Sequence, residues 1–94
     1  MEFLVETNLG LPETMADARR DELFAVERAR GFELRRAGVI KRIWRIPGGY
    51  HSIAIWEASD PTELQKLLLT LPLFQWLNIR VTALAAHHLE TEER

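Results

Sequence analysis

Strand-like and helix-like repeats alternate along the 94-residue sequence, and their order constrains the fold more than any other feature. Residues 2–8 alternate apolar and polar side chains, which is typical of a strand, and Gly10 and Pro12 interrupt the pattern. Residues 13–37 contain no proline and are rich in Ala, Leu, Glu and Arg. They predict one long helix that ends at Gly38.

The second half of the sequence predicts a hairpin, a short helix and a last strand. Residues 39–46 and 50–57 are rich in β-branched and aromatic side chains and flank the turn Pro47-Gly48-Gly49, which indicates a hairpin. A helix is expected to begin at Asp60-Pro61, because Asp60 can cap its exposed amides and proline suits the first helical position. Residues 79–85 alternate again and predict the last strand.

The order β-α-β-β-α-β is that of the α+β ferredoxin-like fold, in which two helices cover one face of a four-stranded antiparallel sheet. We therefore expect a single domain over residues 1–94, with a loose polar tail at about residues 88–94. The uncovered sheet face needs a partner sheet, so two chains are expected to pair as a dimeric α+β barrel. A stripe on the long helix suits a further subunit contact or a merely exposed face. It comprises Ala18, Ala25, Ala29 and Phe32.

Composition narrows the possible functions. The formal net charge is −2 with acidic and basic residues interspersed, which argues against a nucleic-acid partner. The absence of cysteine excludes disulfides, thiolate metal sites and a cysteine nucleophile. Because neighbouring strand residues point opposite ways, His87-His88 does not predict a metal site. The sequence has no cationic signal-peptide start and no apolar run near the roughly 20 residues of a membrane span, so we expect a cytoplasmic protein without a membrane partner.

The long helix places one carboxylate among its apolar side chains. On a helical wheel, Glu27 falls between Leu23 and Leu34 on the inward stripe. Burial opposes ionisation and raises the pKa of a carboxyl group towards the range of a useful general base. The alternative is that Glu27 is a structural ion-pair partner of Arg30, which lies on the same helix face.

The predicted hairpin concentrates polar side chains beside aromatic ones. Arg45 offers a planar fork that suits a carboxylate, whereas Tyr50, His51 and Ser52 can donate hydrogen bonds or move protons. Strand parity places Tyr50 and Ser52 on one face and His51 on the other. The alternative is a solvated hairpin end without chemistry.

Three stretches of the chain resemble signature stretches of the muconolactone isomerases. They are Trp44-Arg45-Ile46-x-Gly48-x-Tyr50, Leu71-Pro72-Leu73-Phe74 and Ile79-x-Val81. The helix segment 27–38, with its Glu, paired Arg and terminal Gly, also fits. The resemblance runs from Met1 to about His87 without a gap.

The resemblance implies a ferredoxin-like protomer assembled into a large ring, usually a decamer of barrel dimers. It implies conversion of muconolactone to 3-oxoadipate enol-lactone in catechol degradation, part of the β-ketoadipate pathway, without metal or organic cofactor. The partner is then a small lactone carboxylate substrate. The related chloromuconolactone dehalogenases share the scaffold and provide the first alternative.

On this interpretation, the reaction is a 1,3-proton shift by a single base. Glu27 is the predicted base, because it is the inward-facing acid and stands at the family position. Tyr50 and Ser52 are predicted to hydrogen-bond the dienolate oxygen. His51 is the next candidate base if Glu27 is instead paired with Arg30.

Substrate binding is assigned to one arginine and three aromatic side chains. Arg45 is predicted to hold the substrate carboxylate. Trp44, Phe74 and Trp76 are predicted to line an apolar pocket that keeps the base poorly solvated. The segment with Phe74 and Trp76 has neither helical nor strand period, so it also suits a core plug or a subunit contact.

The chain departs from the family pattern after Tyr50, where the family places Ala, Asn and Tyr, and again after the Leu-Pro-Leu-Phe stretch. The departures are His51, Ser52, Ile53, Gln75, Trp76 and Asn78. They leave the expected fold unchanged and make a substituted or bulkier lactone an alternative substrate. Two alternatives from other classes are a cofactor-independent oxygenase or cyclase and a non-catalytic binding protein on the same barrel.

Overall fold

The computed structural model describes residues 1–92, and, apart from one 3-10 turn, the first six helices and strands follow the predicted order. The helices and strands are β1 (Glu2–Leu9), α1 (Asp17–Arg36), β2 (Ile40–Ile46), β3 (His51–Glu57), α2 (Pro61–Leu69), β4 (Leu77–Leu84) and α3 (His88–Thr91). A 3-10 turn, Phe74–Trp76, lies between α2 and β4. No helix within residues 1–92 is both long and apolar enough to cross a bilayer.

The four strands form one antiparallel sheet in the order β2-β3-β1-β4. β1 is an inner strand, since its Val5 lies opposite Ala54 of β3 on one side and Val81 of β4 on the other. The first and last strands are therefore neighbours, although most of the chain separates them. This arrangement confirms the predicted ferredoxin-like fold.

Alternate residues of the two inner strands form the core beneath the helices. Phe3 and Val5 of β1 are each 1% exposed, and Ala54 and Trp56 of β3 are also buried. The helices contribute Leu34, Leu64 and Leu68 to the same cluster. The two-residue repeat that predicts the strands thus also decides which side of the sheet the helices cover.

The side of the sheet away from the helices, here called the bare face, carries apolar side chains that are partly open to solvent. Its apolar residues are Leu4, Trp44, Ile46, Ile53, Ile55 and Leu84. Trp44 is 42% exposed, and the guanidinium carbon of Arg42 lies 4.8 Å from its ring centroid. A lone protomer therefore leaves an apolar strand surface uncovered.

A bulge in β2 decides which hairpin side chains face the helices. The register shifts between Ile40 and Arg42, and beyond the shift Arg45 lies opposite Ser52 on the helix-facing side. Without the shift, strand parity from Ile40 would put Arg45 on the bare face. Arg35 of α1 donates a 3.1 Å hydrogen bond to the carbonyl of Ile40 and so stabilises the backbone at the bulge.

The start of α2 follows the predicted capping pattern. The carboxylate of Asp60 accepts a 2.7 Å hydrogen bond from the amide of Glu63, as expected for a cap. The carboxylate of Glu63 in turn accepts hydrogen bonds from the amide and hydroxyl of Ser59, at 3.1 and 2.9 Å. The helix start is therefore held from both sides.

The start of α1 and the C-terminal tail differ from the sequence-based expectation. α1 begins at Asp17 rather than at residue 13, because the chain first makes a turn in which the amide of Met15 donates to the carbonyl of Pro12. The expected loose tail contains one helical turn, His88–Thr91, whose start is capped by His87. Residues 93 and 94 of that predicted tail lie outside the described residues.

Candidate active site

A cavity of about 570 Å³ opens between α1 and the helix-facing side of the sheet. Its walls are mainly apolar and include Phe24, Ile43, Trp56, Leu71, Leu73 and Leu77. Polar side chains reach it from several elements, and they are Thr7, Glu27, Arg28, Arg45, Tyr50 and Ser52. One carboxylate and two guanidinium groups therefore border a mostly apolar space, which suits a small organic anion.

Glu27 is the only carboxylate among the cavity-lining residues that the structure describes. It is half-buried, and its Oε1 accepts a 3.0 Å hydrogen bond from the backbone amide of Leu73. Burial raises the pKa of Glu27 above its ordinary value of 4.5, and the hydrogen bond from Leu73 opposes part of that rise. Glu27 is therefore a carboxylate with increased basicity that faces a cavity.

The alternative of a Glu27–Arg30 ion pair is not what the structure shows. Arg30 donates from Nε and Nη2 to the hydroxyl oxygen of Thr70, at 3.0 and 2.9 Å, and its Nη1 lies 3.5 Å from the carboxylate of Glu33. Within residues 1–92, Glu27 is in no salt bridge, since every ion pair there joins other groups. Glu27 thus keeps the raised pKa that an adjacent guanidinium partner would lower.

The amide that holds Glu27 comes from the short connection between α2 and β4. α2 ends at Leu69, and Pro72 cannot continue a helix. Leu71 and Leu73 on either side of this proline are buried and anchor the connection beneath α1. The amide of Leu73 therefore has no carbonyl partner within a helix and is donated to Glu27.

Two hydroxyl groups meet on the sheet wall of the cavity. Thr7 of β1 and Ser52 of β3 lie directly opposite each other, and their side-chain oxygens are 2.7 Å apart. Ser52 in turn lies opposite Arg45 of β2. The guanidinium of Arg45 is exposed, and its hydrogen bond to the carbonyl of His51 is long at 3.5 Å. The guanidinium therefore remains available to a bound anion.

Tyr50 stands at the hairpin end of the cavity. Its side chain is 59% exposed, and its ring centroid is 5.9 Å from that of Phe24 on α1, with the ring planes tilted by 45°. The two rings thus bring the hairpin end and the long helix into contact. The phenol group borders the cavity and can donate a hydrogen bond into it.

Three of the predicted site residues do not line this cavity. His51 lies on the opposite side of the sheet, where it borders a shallow depression with Asn78 and Arg80, because strand parity separates it from Ser52. Phe74 packs against the core cluster, and Trp76 ends the 3-10 turn that leads into β4. The cavity lining of the protomer therefore does not include Phe74 and Trp76, which were predicted to form the pocket wall.

Trp44 is among the residues that line the cavity. Its register opposite Ile53 and its contact with Arg42 direct the indole ring to the bare face. Sequence reasoning also missed the cavity residues Thr7 and Arg28. Thr7 could have been found, because it is the polar residue on the apolar side of an alternating strand.

No three His, Asp or Glu side chains within residues 1–92 are placed to hold a metal ion together. The chemistry of the cavity is instead that of a carboxylate with raised pKa, hydroxyl donors and an arginine. Fold and cavity together define a ferredoxin-like α+β protein whose cavity is bordered by a carboxylate, hydroxyl groups and arginines.

The chain belongs to the muconolactone delta-isomerase family, whose family model matches residues 1–90. It is 38% identical to the Muconolactone Delta-isomerase of Rhodococcus opacus over 85 residues, which cover 90% of this chain and 91% of that protein. It is 37% identical to the enzyme of the same name from Acinetobacter baylyi over 87 residues, or 93% of this chain and 91% of the relative.

A solved crystal structure of muconolactone isomerase has the same fold. It superposes with a TM-score of 0.86 at 32% sequence identity, covering 93% of this chain and 91% of the solved chain. These comparisons confirm the family resemblance of the signature stretches and the predicted fold class.

Proposed function

We propose that this protein catalyses a cofactor-free 1,3-proton shift in muconolactone or a substituted muconolactone, giving 3-oxoadipate enol-lactone in catechol degradation. One observation supports the proposal most directly: Glu27 faces the cavity, has no ion-pair partner among residues 1–92, and has one oxygen held by the amide of Leu73. A base for carbon acids needs a fixed position and a pKa closer to neutrality than that of an exposed carboxylate. Glu27 meets both requirements.

The proton transfer takes two steps that use the same carboxylate. The lactone carbonyl, conjugated with the ring double bond, acidifies the hydrogen on the far carbon of the allylic system. Glu27 removes that proton, and the electron pair moves through the double bond to the carbonyl oxygen as a dienolate. The protonated Glu27 then returns the proton to the carbon next to the carbonyl group, and the double bond ends in its new position.

Charge in this reaction develops on the lactone oxygen, and the sheet wall offers donors for it. The hydroxyl of Ser52 borders the cavity directly across the strands from Arg45. Tyr50 lies at the hairpin end of the cavity. Donors that are already in place stabilise a developing oxyanion at little reorganisation cost. Ser52 and Tyr50 are therefore assigned to the dienolate oxygen.

The substrate carboxylate is assigned to Arg45. Its guanidinium reaches the cavity because of the bulge in β2, and its planar fork matches a carboxylate. The cavity of about 570 Å³ lies within the range of roughly 300–1,000 Å³ for small-molecule sites. It therefore has room for ring substituents as well as for the parent lactone.

We also propose that the active form is an oligomer built on a dimer. The bare face exposes Trp44 and Ile46, and its inner strand β3 adds the half-buried Ile53 and Ile55. Pairing two bare faces would make the dimeric α+β barrel, and larger rings of such dimers would use other surfaces. On α1, Phe32 is 48% exposed and is the strongest candidate for such a second contact.

The function is tested by incubating the protein with muconolactone and following enol-lactone formation by NMR. Chloro and methyl derivatives are assayed in parallel, because chloride release would identify the dehalogenase alternative. We expect turnover without added metal, cofactor or dioxygen. A folded protein that converts none of these lactones would contradict the proposal.

A further inference from the structure

We infer that Thr7 is a positioning residue for the proton shift and acts on the substrate through the hydroxyl of Ser52. The inference rests on the proposed function, in which Ser52 stabilises the dienolate oxygen. Thr7 Oγ1 lies 2.7 Å from Ser52 Oγ, and both side chains are half-buried in the cavity wall. This pair is the direct contact from which the argument starts.

The two hydroxyls interrupt an apolar surface. The other side chains that β1 and β3 present to the helices are Phe3, Val5, Leu9, Ala54 and Trp56. A pair of apolar side chains of similar shape could fill the positions of Thr7 and Ser52 at little or no cost in stability. The fold alone therefore does not account for this polar pair beside the cavity.

The register across the sheet determines which of the two hydroxyl groups contacts the substrate. Arg45, Ser52 and Thr7 lie opposite one another on three adjacent strands, in that sequence. Adjacent strands are about 4.7–4.9 Å apart, so a lactone whose carboxylate is held by Arg45 reaches Ser52 before it reaches Thr7. Ser52 then donates its single proton to the substrate and accepts the proton of Thr7.

This chain of hydrogen bonds has two effects on the reaction. Thr7 occupies a lone pair of Ser52 and so leaves the Ser52 proton directed into the cavity. It also polarises the Ser52 hydroxyl, because successive hydrogen bonds strengthen one another. Charge appears on the lactone oxygen only as the carbon-bound proton leaves, so the contribution of Thr7 falls on kcat rather than on KM.

The test is a double-mutant cycle with muconolactone as substrate. Thr7→Val keeps the shape of the side chain and removes the hydroxyl, and we expect a decrease in kcat of about fivefold to tenfold, the effect of one lost hydrogen bond. KM should stay within about twofold, and Thr7→Ser should restore most of the parent kcat. In the Ser52→Ala background, Thr7→Val should cause no further loss.

The matched control is Thr62→Val, a change at an exposed threonine of α2 that does not line the cavity. It should leave kcat and KM at the parent values. If Thr7→Val fails to fold by circular dichroism, Thr7→Ala is measured in the same cycle with the same expectation.

Two results would overturn the inference while leaving the proposed function intact. One is an active parent protein whose kcat is unchanged by Thr7→Val. The other is an equal loss from Thr7→Val with and without Ser52, since Thr7 would then act on the fold or directly on the substrate. A parent protein without any lactone turnover would end the proposed function and this inference together.

Discussion

The backbone amide of Leu73 donates a 3.0 Å hydrogen bond to Oε1 of Glu27, joining positions that are 46 residues apart in the sequence. This contact fixes the Oε1 oxygen, while the Oε2 oxygen makes no hydrogen bond to residues 1–92. The same contact limits the rise in the pKa of Glu27 that burial causes. Glu27 is therefore oriented, and its pKa lies above the ordinary value, which suits a group that first takes and then returns a proton.

Glu27→Gln is expected to abolish most turnover and to preserve the fold. The amide oxygen of glutamine can still accept from Leu73, but the side chain no longer takes up a proton. Loss of a general base commonly costs about 10²- to 10⁴-fold in rate, and we expect kcat for muconolactone to fall within that range. The measurement is steady-state kinetics together with circular dichroism and thermal melting.

Glu22→Gln is the matched control for this change. Glu22 lies on the same helix, and its side chain is 68% exposed with only a 3.6 Å contact to Arg19. Removing the charge of Glu22 should leave turnover unchanged. A folded Glu27→Gln variant that works at nearly the parent rate would remove Glu27 from the mechanism.

Ionised Glu27 is also expected to lower the stability of the folded protein. Burial raises its pKa above 4.5, so there is a pH window in which the unfolded chain has lost a proton that the folded protein still holds. Stability therefore falls as the pH rises from about 4.5 to the raised pKa and levels off above it. Because Glu27→Gln removes this titration, its melting temperature relative to the parent should increase across that window.

Thermal melts of both proteins between pH 4.5 and pH 8 check this prediction. The difference between variant and parent should be smallest at the acidic end and should persist at pH 8. A difference that does not vary with pH would mean that folding leaves the pKa of Glu27 unchanged.

Local patterns were sufficient to predict the order of the main elements. The repeats of two in the strands, the Pro47-Gly48-Gly49 turn and the Asp60-Pro61 start each act within a few residues, so the sequence shows them directly. The inward position of Glu27 follows from the helical repeat alone. The family resemblance then supplied the expected chemistry.

Contacts between distant segments were beyond the reach of such patterns. Nothing local indicates that the amide of Leu73 binds Glu27 or that Arg30 binds Thr70, since both contacts depend on how α1 packs on the connection after α2. The bulge in β2 likewise changes the face of Arg45 without a clear sequence signal. Nor did the sequence show that Phe74 packs against the core cluster, because a segment without periodicity does not show which way its side chains turn.

The hydrogen bonds from Arg30 to Thr70 are expected to support the position of the Leu73 amide. Thr70 is the residue after α2, and its hydroxyl oxygen accepts from both Nε and Nη2 of Arg30. Thr70→Val removes this anchor and should lower the free energy of unfolding by about 1 kcal/mol. It should also lower kcat more than it changes KM, because Glu27 loses part of its orientation.

Urea unfolding and steady-state kinetics measure the two effects of Thr70→Val. Thr70→Ser keeps the hydroxyl and serves as the control, with values close to those of the parent. Full activity in a destabilised Thr70→Val protein would show that the anchor serves the fold alone.

The bare face is expected to be the main contact of the oligomer, and Ile53→Lys tests this with little disturbance to the protomer. Ile53 lies between Glu6 and Trp44 on that face, so a lysine there gains an acidic neighbour and an aromatic one. The protomer should therefore fold, while a charged side chain at the centre of an apolar contact opposes pairing.

Light scattering at micromolar concentration should show at least a dimer for the parent protein and a shift towards the protomer mass for Ile53→Lys. Gln65→Lys, at an exposed position of α2, makes the same change in charge away from the sheet and should assemble like the parent. A monomeric parent would contradict the proposed assembly altogether. Unchanged assembly of a folded Ile53→Lys variant would instead indicate that the main contact lies on another surface. The side of α1 around Phe32 is the next candidate.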